Sequence, residues 1–301
     1  MSCPRGLEIE RGRPLAPETT FKIGGRAKMW FEPRGVAELS AGLEFCRRKK
    51  MPIFVIGAGS NVLVPDKGVQ GMVIALRRGG FARIKGEGGR VYCGAGVRLG
   101  RLLNYCLKQG LGGLEFLAGI PGTLGGALMT NAGAGGRNKA IGNVVKAAHI
   151  IDYCGRVRVL SREDMRFGYR RCRLYRGIIL GADLRLRRRD RGHIRRDIDG
   201  YRRYRRGTQD LSCPSAGCVF KNPASQDGSG NGEISAGRLI ALCGLKGKSA
   251  GDAIISPIHA NFILNKGRAR AKDVLRLMQI AKARVKKRFA VDLKEELVIW
   301  S

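Results

Sequence analysis

Apolar residues along this chain follow two periodicities, and these assign most of its length. Between Val36 and Lys50 they recur at helical spacing, with Leu39, Leu43 and Cys46 on one face, which predicts a helix ended by Pro52. Leu99–Gln109 repeats the pattern with Leu99, Leu102, Leu103 and Cys106 inward and Gly110 placed as its C-cap. A long helix is expected near Ala271–Phe289, its buried face lined by Val274, Leu277, Met278, Ala281, Val285 and Phe289. Short apolar runs bounded by glycine predict a buried strand at IFVIG after Pro52 and further strands at VIAL (73–76) and VYCGAGV (91–97). TTFKIGGRAKMWFE (19–32) predicts two short strands around a Gly-Gly turn. VVKAAHIIDYCGRVRVL predicts a hairpin turning near Cys154-Gly155, RFGYRRCRLYRGIILGADLRL further strands, and VDLKEELVIW a closing strand.

Two stretches obey neither period. Gly113–Gly136, GLEFLAGIPGTLGGALMTNAGAGG, is too rich in small residues for a core helix and too apolar for a linker. Its glycines let backbone approach a ligand closely, and N–H groups after Pro121 can point at an anion. Tight turns between strands are the plainer reading, and the ordered pattern favours a phosphate cradle. The second stretch is GAGSNVLVPDKG (57–68). Gly57 and Gly59 follow a strand, but Val62 replaces the third glycine of a dinucleotide fingerprint. Leu76-Arg77-Arg78 stand where its acidic residue belongs. Gly57–Asn61 is therefore read as an anion loop between strands, outside any Rossmann unit.

Composition narrows the class. A chain of 301 residues with 44% hydrophobic residues suits two globular domains, and no apolar run approaches a membrane span. The N-terminus has no apolar signal core, so a cytoplasmic location is expected. Nine cysteines without a CxxC spacing read as reduced thiols, and no metal site is expected. The formal net charge of +33 suggests polyanionic partners, yet the basic residues are spread along the whole chain as solvated faces would be. Arginine is densest between Arg156 and Arg206, and the stretch Arg187–Arg206 within it is read as a charged helix and the boundary between domains. Its Tyr201 and Tyr204 among arginines imitate an RNA-binding stretch, which is the less favoured reading.

Eight pieces acquire specificity together: TTFKIGGRA, GAGSNVLV, GIPGTLGGALMTNAGA, FGYR, SAGCVFKNP, AGRLIALCGLKG, HANFILN and LKEEL. In this order, across nearly the whole chain, they resemble the UDP-N-acetylenolpyruvoylglucosamine reductases (UDP-N-acetylmuramate dehydrogenases, the MurB family). The short gap between FGYR and SAGCVFKNP looks like the subclass without an extra substrate-covering loop. The resemblance implies an α+β fold: an FAD-binding domain of the vanillyl-alcohol-oxidase (PCMH) type over 15–190, then a smaller α+β substrate-binding domain over 200–301. It implies FAD as cofactor, NADPH as hydride donor and a UDP-sugar enolpyruvate as substrate. An oxidoreductase of the same fold acting on another substrate, a basic nucleic-acid-binding protein and an inactive flavoprotein are the alternatives.

The family pattern also implies residue roles. The FAD pyrophosphate would lie on Gly57, Ala58, Gly59, Ser60 and Asn61, and on Gly119, Ile120, Pro121, Gly122, Gly125, Gly126, Asn131, Ala132, Gly133 and Ala134. Arg170 matches the arginine assigned to the substrate carboxylate, with Tyr169 beside it; a guanidinium suits bidentate carboxylate binding. Glu296, taken over its neighbour Glu295, matches the C-terminal catalytic glutamate. Cys218 stands where the family usually has the proton-donating serine. A thiol is a better acid than an aliphatic hydroxyl, but nearby cations favour the thiolate, which has no proton to give. Arg205, Lys221 and Asn222 match substrate contacts, although Asp210 stands where proline is usual. Cys172 replaces a common serine after FGYR, and His259 is read as structural.

Overall fold

The computed structural model describes residues 6–133, 139–174, 177–223 and 235–301. The first elements are β1 (Ile9–Arg11), β2 (Ala27–Phe31), α1 (Val36–Arg48), β3 (Ile53–Ile56), β4 (Val62–Leu63) and β5 (Val69–Ala75). Then come β6 (Ile84–Glu87), β7 (Arg90–Gly94), α2 (Leu99–Gln109), β8 (Leu111–Gly112) and α3 (Leu124–Met129). β9 (Val145–Asp152), β10 (Val157–Ser161), β11 (Gly177–Arg185), β12 (Arg187–Arg188) and α4 (Arg191–Thr208) follow. The chain finishes with β13 (Ser215–Cys218), α5 (Ala236–Leu242), β14 (Ser249–Ala250), β15 (Ala253–Ile255), β16 (Phe262–Asn265), α6 (Ala271–Phe289) and β17 (Val298–Ile299).

These elements divide into two compact units. One comprises residues 1–13, 28–58 and 70–204, the other 14–27, 59–69 and 205–301. Two early segments thus group with the C-terminal part of the chain, so the units do not follow chain order as 15–190 and 200–301 would.

In the first unit a sheet of order β1-β2-β5-β3 carries α1, and an antiparallel sheet runs β10-β9-β11-β7-β6. The inward face of α1, with Leu39, Leu43 and Cys46, shares one buried cluster with Phe31, Met72 and Ile74. Each such leucine side chain contributes about 1.5–3 kcal/mol by leaving water. α2 spans the predicted residues, and Gly110 closes it at φ 62. The hairpin β9–β10 forms around Tyr153–Arg156, as the pattern predicts. IFVIG is a strand, but a half-buried one with Val55 at 41% exposure. Val55 points outward while its neighbour Ile56 is buried, as alternation along a strand covered on one face requires.

The second unit packs α5 and α6 on an antiparallel sheet of order β13-β16-β15-β14. α6 runs Ala271–Phe289 with Val274, Leu277, Met278, Ala281 and Val285 buried, while Phe289 is half-buried. Asp66 fixes its start by accepting the N–H groups of Ala271 (2.8 Å) and Lys272 (3.2 Å), where negative charge meets the positive helix end. Two strand predictions shrink here. Of TTFKIGGRAKMWFE only Ala27–Phe31 is a strand, because Thr19 turns the chain by donating to Ala16 O and Ile23 O. Of VDLKEELVIW only Val298–Ile299 is a strand, paired parallel with β4. Among the described residues no helix is long and apolar enough to cross a membrane.

Candidate functional site

The FGYR motif is a tight turn. Gly168 N–H donates to Arg171 O (2.9 Å) and Arg171 N–H to Gly168 O (3.1 Å), which leaves Tyr169 and Arg170 at the tip. Arg170 holds φ 49, a left-handed conformation that a non-glycine residue adopts only under external constraint. The glycine-rich run supplies that constraint. Arg170 Nη1 donates to Gly133 O (3.2 Å), Asn131 Nδ2 to Gly168 O (3.0 Å), and Cys172 N–H to Met129 O (3.1 Å). The Arg170 guanidinium also lies 5.9 Å from the Tyr169 ring centroid. The first unit therefore lashes its candidate carboxylate-binding arginine to its candidate cradle.

Within the cradle the candidate residues differ in what they have left to offer. Gly125 N–H is used on Ala95 O (2.8 Å), Ile120 N–H on Leu117 O and Ala132 N–H on Ala127 O. Asn131 spends its side chain on Gly168 O and on the Gly142 N–H (3.0 Å). Gly122 and Thr123, ahead of α3, keep N–H groups that meet no protein acceptor among the described residues, although Thr123 is buried. Gly119 turns the chain before Pro121, and Gly126 sits inside α3. Gly57 and Ala58 belong to this unit; Ala134 lies outside the described residues.

The rest of the anion loop belongs to the second unit. Gly59 has φ 64, and a Cβ there would stand 2.2 Å from Glu18 O, so only glycine fits. Thr20, unmarked in the sequence beyond its motif, pins the loop: its N–H donates to Gly59 O (3.1 Å) and its hydroxyl to Ser215 O (2.7 Å). The N–H groups of Gly59, Ser60 and Asn61 meet no protein acceptor among the described residues, and Gly59 is buried. Buried amides left unpaired cost about 1–3 kcal/mol each, and a phosphate diester offers the acceptors they lack. This donor set fits a pyrophosphate-bearing cofactor such as FAD.

Cys218 and Glu296 are joined through backbone. Strand β13 bulges between Ser215 and Cys218, where Gly217 takes φ 75, and Cys218 pairs opposite Phe262 of β16. Beyond it, Val219 O accepts the N–H groups of both Glu296 (2.9 Å) and Leu297 (3.2 Å), and Lys221 N–H donates to Lys294 O (2.9 Å). Asn61 Nδ2 donates to Glu296 O (3.1 Å), and Val298 N–H to Asn61 O (3.0 Å). The anion loop, Cys218 and Glu296 thus share one hydrogen-bonded framework. Glu295 differs from its neighbour: it is exposed and ion-paired to Lys282, which holds its carboxyl below the usual range, whereas Glu296 is half-buried.

Lys221 is half-buried and Asn222 Oδ1 accepts the Ala236 N–H (3.2 Å), so Asn222 also tethers the start of α5. Arg205 lies in the last turns of α4. Asp210, the departure from proline, is buried. It accepts hydrogen bonds from the Ser212 N–H (3.1 Å), Ser212 Oγ (2.6 Å) and Ser256 Oγ (2.7 Å). Burial opposes its charge, but these donors win and hold its carboxyl below the ordinary value. His259 is held neutral by burial, its Nδ1 accepting the Asn261 N–H (3.3 Å), which agrees with a structural histidine.

Thiol environments separate the cysteines. Burial pushes the thiols of Cys46 and Cys172 up to about 11, and those of Cys93 and Cys106 to about 12. Cys154 is exposed, and Cys213, Cys218 and Cys243 are half-buried. Iodoacetamide at pH 8 should label Cys154 first, those three more slowly, and the four buried thiols only on unfolding. Peptide mass spectrometry over a time course checks the order; rapid labelling of Cys93 would contradict the packing.

Comparison with known proteins agrees with this arrangement. Residues 27–161 match the FAD binding domain model, and residues 209–300 match the model for the C-terminal domain of UDP-N-acetylenolpyruvoylglucosamine reductase. The reductase of Moorella thermoacetica is 38% identical over 295 residues, covering 98% of this chain and 94% of that protein. UDP-N-acetylenolpyruvoylglucosamine reductase 2 of Symbiobacterium thermophilum is 41% identical over 97% of this chain and 92% of its own length. The crystal structure of the Thermus caldophilus reductase superposes with a TM-score of 0.81 at 37% identity, covering 98% of this chain and 100% of that one. With both architecture and sequence shared end to end, the chain belongs to the UDP-N-acetylenolpyruvoylglucosamine reductase family.

Proposed function

We propose that the protein reduces UDP-N-acetylglucosamine enolpyruvate to UDP-N-acetylmuramate in peptidoglycan precursor synthesis, with FAD as cofactor and NADPH as reductant. The observation that carries this is the near full-length match to enzymes of that name. Bound FAD supplies the chemistry of accepting a hydride from NADPH and handing it to the terminal vinyl carbon of the substrate.

The protein's own residues do the rest. The N–H groups of Gly59, Ser60 and Asn61, and those of Gly122 and Thr123, are assigned to phosphate oxygens, where fixed donors neutralise charge without side-chain bulk. Arg170 is assigned to the substrate carboxylate, whose polarisation makes an enol ether accept hydride. Its turn is already fixed, so the guanidinium needs little reorganisation as enolate charge develops. Glu296 assists that polarisation. Cys218 gives its Sγ proton to the carbon bearing the carboxylate and is left as thiolate until solvent reprotonates it. Tyr169, Arg205, Lys221 and the amide nitrogen of Asn222 are assigned to the nucleotide sugar. A cytoplasmic location goes with these substrates.

An anaerobic visible spectrum tests the proposal. The purified protein should be yellow, bleach with NADPH and recolour on adding the enolpyruvyl UDP-sugar. Bleaching without recolouring would point to another acceptor, and a protein unable to take up FAD would sink the flavoenzyme reading.

A further inference from the structure

We propose that Asn261 is a positioning residue that holds Cys218 and Glu296 in register by clamping the main chain of Val219 and Phe220. The inference rests on Cys218 being the proton donor. Its basis is the way the β13–β16 ladder ends. Cys218 is paired opposite Phe262, and the chain then leaves the sheet to meet residues 294–297. At that departure the Asn261 side chain substitutes for a neighbouring strand. Its Nδ2 donates to Phe220 O (2.8 Å), and its Oδ1 accepts the Phe220 N–H (2.9 Å). Its own carbonyl accepts the Val219 N–H (2.9 Å). Residues 219–221 are thus gripped by Asn261 on one side and by the backbone of Lys294, Glu296 and Leu297 on the other.

The clamp has its own support. Ser256 Oγ accepts the N–H groups of Ile258 (3.0 Å) and His259 (3.1 Å) while donating to Asp210. The neutral His259 ring receives the Asn261 N–H and packs edge-on to Phe262, with ring centroids 4.8 Å apart. Asn261 is buried at 3% exposure, so lost bonds there are not replaced by bulk water. A carboxamide is the side chain that presents one donor and one acceptor at this span. A protonated aspartic acid does the same, with O–H toward Phe220 O and C=O toward the Phe220 N–H. An ionised aspartate keeps only the acceptor and repels Phe220 O.

That difference makes Asn261→Asp a switchable probe. Titratable groups on the segments bonded to Asn261 or its support are His259, Asp210, Cys218, Lys221, Lys294, Glu295 and Glu296, and Lys246 acts on His259. Burial holds the His259 pKa below the ordinary imidazole value, and Glu295 is paired with Lys282. With flavin-loaded N261D, reoxidation by the enolpyruvyl UDP-sugar should be about 100-fold slow at pH 8, the scale of a 1 Å misplacement. Taken as the ratio to wild type at each pH, which removes the alkaline limb that both proteins owe to Cys218, it should recover most of that loss as the pH falls and the new carboxyl protonates. Flavin reduction by NADPH should stay within about twofold of wild type throughout, while amide exchange at 219–221 quickens at pH 8. Wild-type reoxidation by N261D at pH 8, or equal loss in both half-reactions with no recovery at low pH, would overturn the role. If N261D does not fold, Asn261→Ala, which removes both side-chain bonds without adding a charge, is judged by the same split between half-reactions. Cys218→Ala run alongside separates the readings. Slow reoxidation in C218A with normal N261D removes Asn261 alone; normal reoxidation in C218A removes the proton-donor assignment beneath it.

Discussion

Cys218→Ala is expected to slow reoxidation of the NADPH-reduced protein by the enolpyruvyl UDP-sugar by about 10²–10⁴-fold, the usual contribution of a general acid. Cys218→Ser should keep substantial turnover, because a hydroxyl at the same place on β13 inherits the same bulge and the same backbone partners. The pair also separates by pH. A thiol has a reference pKa of about 8.5 and an aliphatic hydroxyl titrates far above the working range. Raising the pH converts the wild-type donor to thiolate, so wild-type reoxidation should fall on the alkaline side while the serine variant shows no such limb. Stopped-flow recovery of flavin absorbance measures both. Equal rates in wild type and Cys218→Ala would remove Cys218 from the mechanism.

Arg170→Lys is expected to cost about 10²–10³-fold in the same half-reaction, comparable to losing one preorganised donor at a developing oxyanion. Lysine keeps the positive charge, so simple attraction would predict a mild effect. Its ammonium cannot hold a carboxylate through two parallel N–H bonds, and it lacks the fork that reaches Gly133 O while serving a ligand. Loss of that tether also leaves a left-handed residue at the turn tip without its restraint. Flavin reduction by NADPH should be spared. Near-normal substrate reoxidation in Arg170→Lys would show that charge alone suffices and that bidentate geometry is not used.

The sequence exposes helices far better than it exposes short pairings. α1, α2 and α6 were predictable because each repeats an apolar face over several turns against one buried cluster. TTFKIGG reads as a strand because its apolar residues alternate. Thr19 and Thr20 instead turn it into a clasp through side-chain bonds with no period to detect. VDLKEELVIW likewise yields only a two-residue strand, since residues 294–297 meet 219–221 at one isolated antiparallel bridge, Phe220 opposite Glu295, and not along a ladder. The motifs of the candidate site were visible because glycines, FGYR and SAGCVF are compositionally unusual. What braces them was not. Thr20, Asp210, Ser256 and Asn261 are ordinary polar residues, and their significance lies in partners up to 195 residues away.

Building the second unit from segments 14–27, 59–69 and 205–301 has a consequence for how the protein is made. Asn61 cannot meet Glu296 until 235 further residues have left the ribosome, a delay of roughly 10–50 s at ordinary synthesis rates. Throughout that interval Phe21, Ile23 and Leu63 await the core they are destined for. The nascent chain therefore carries sticky apolar surface for most of its synthesis. Its dependence on chaperones should fall sharply only once α6 and β17 emerge.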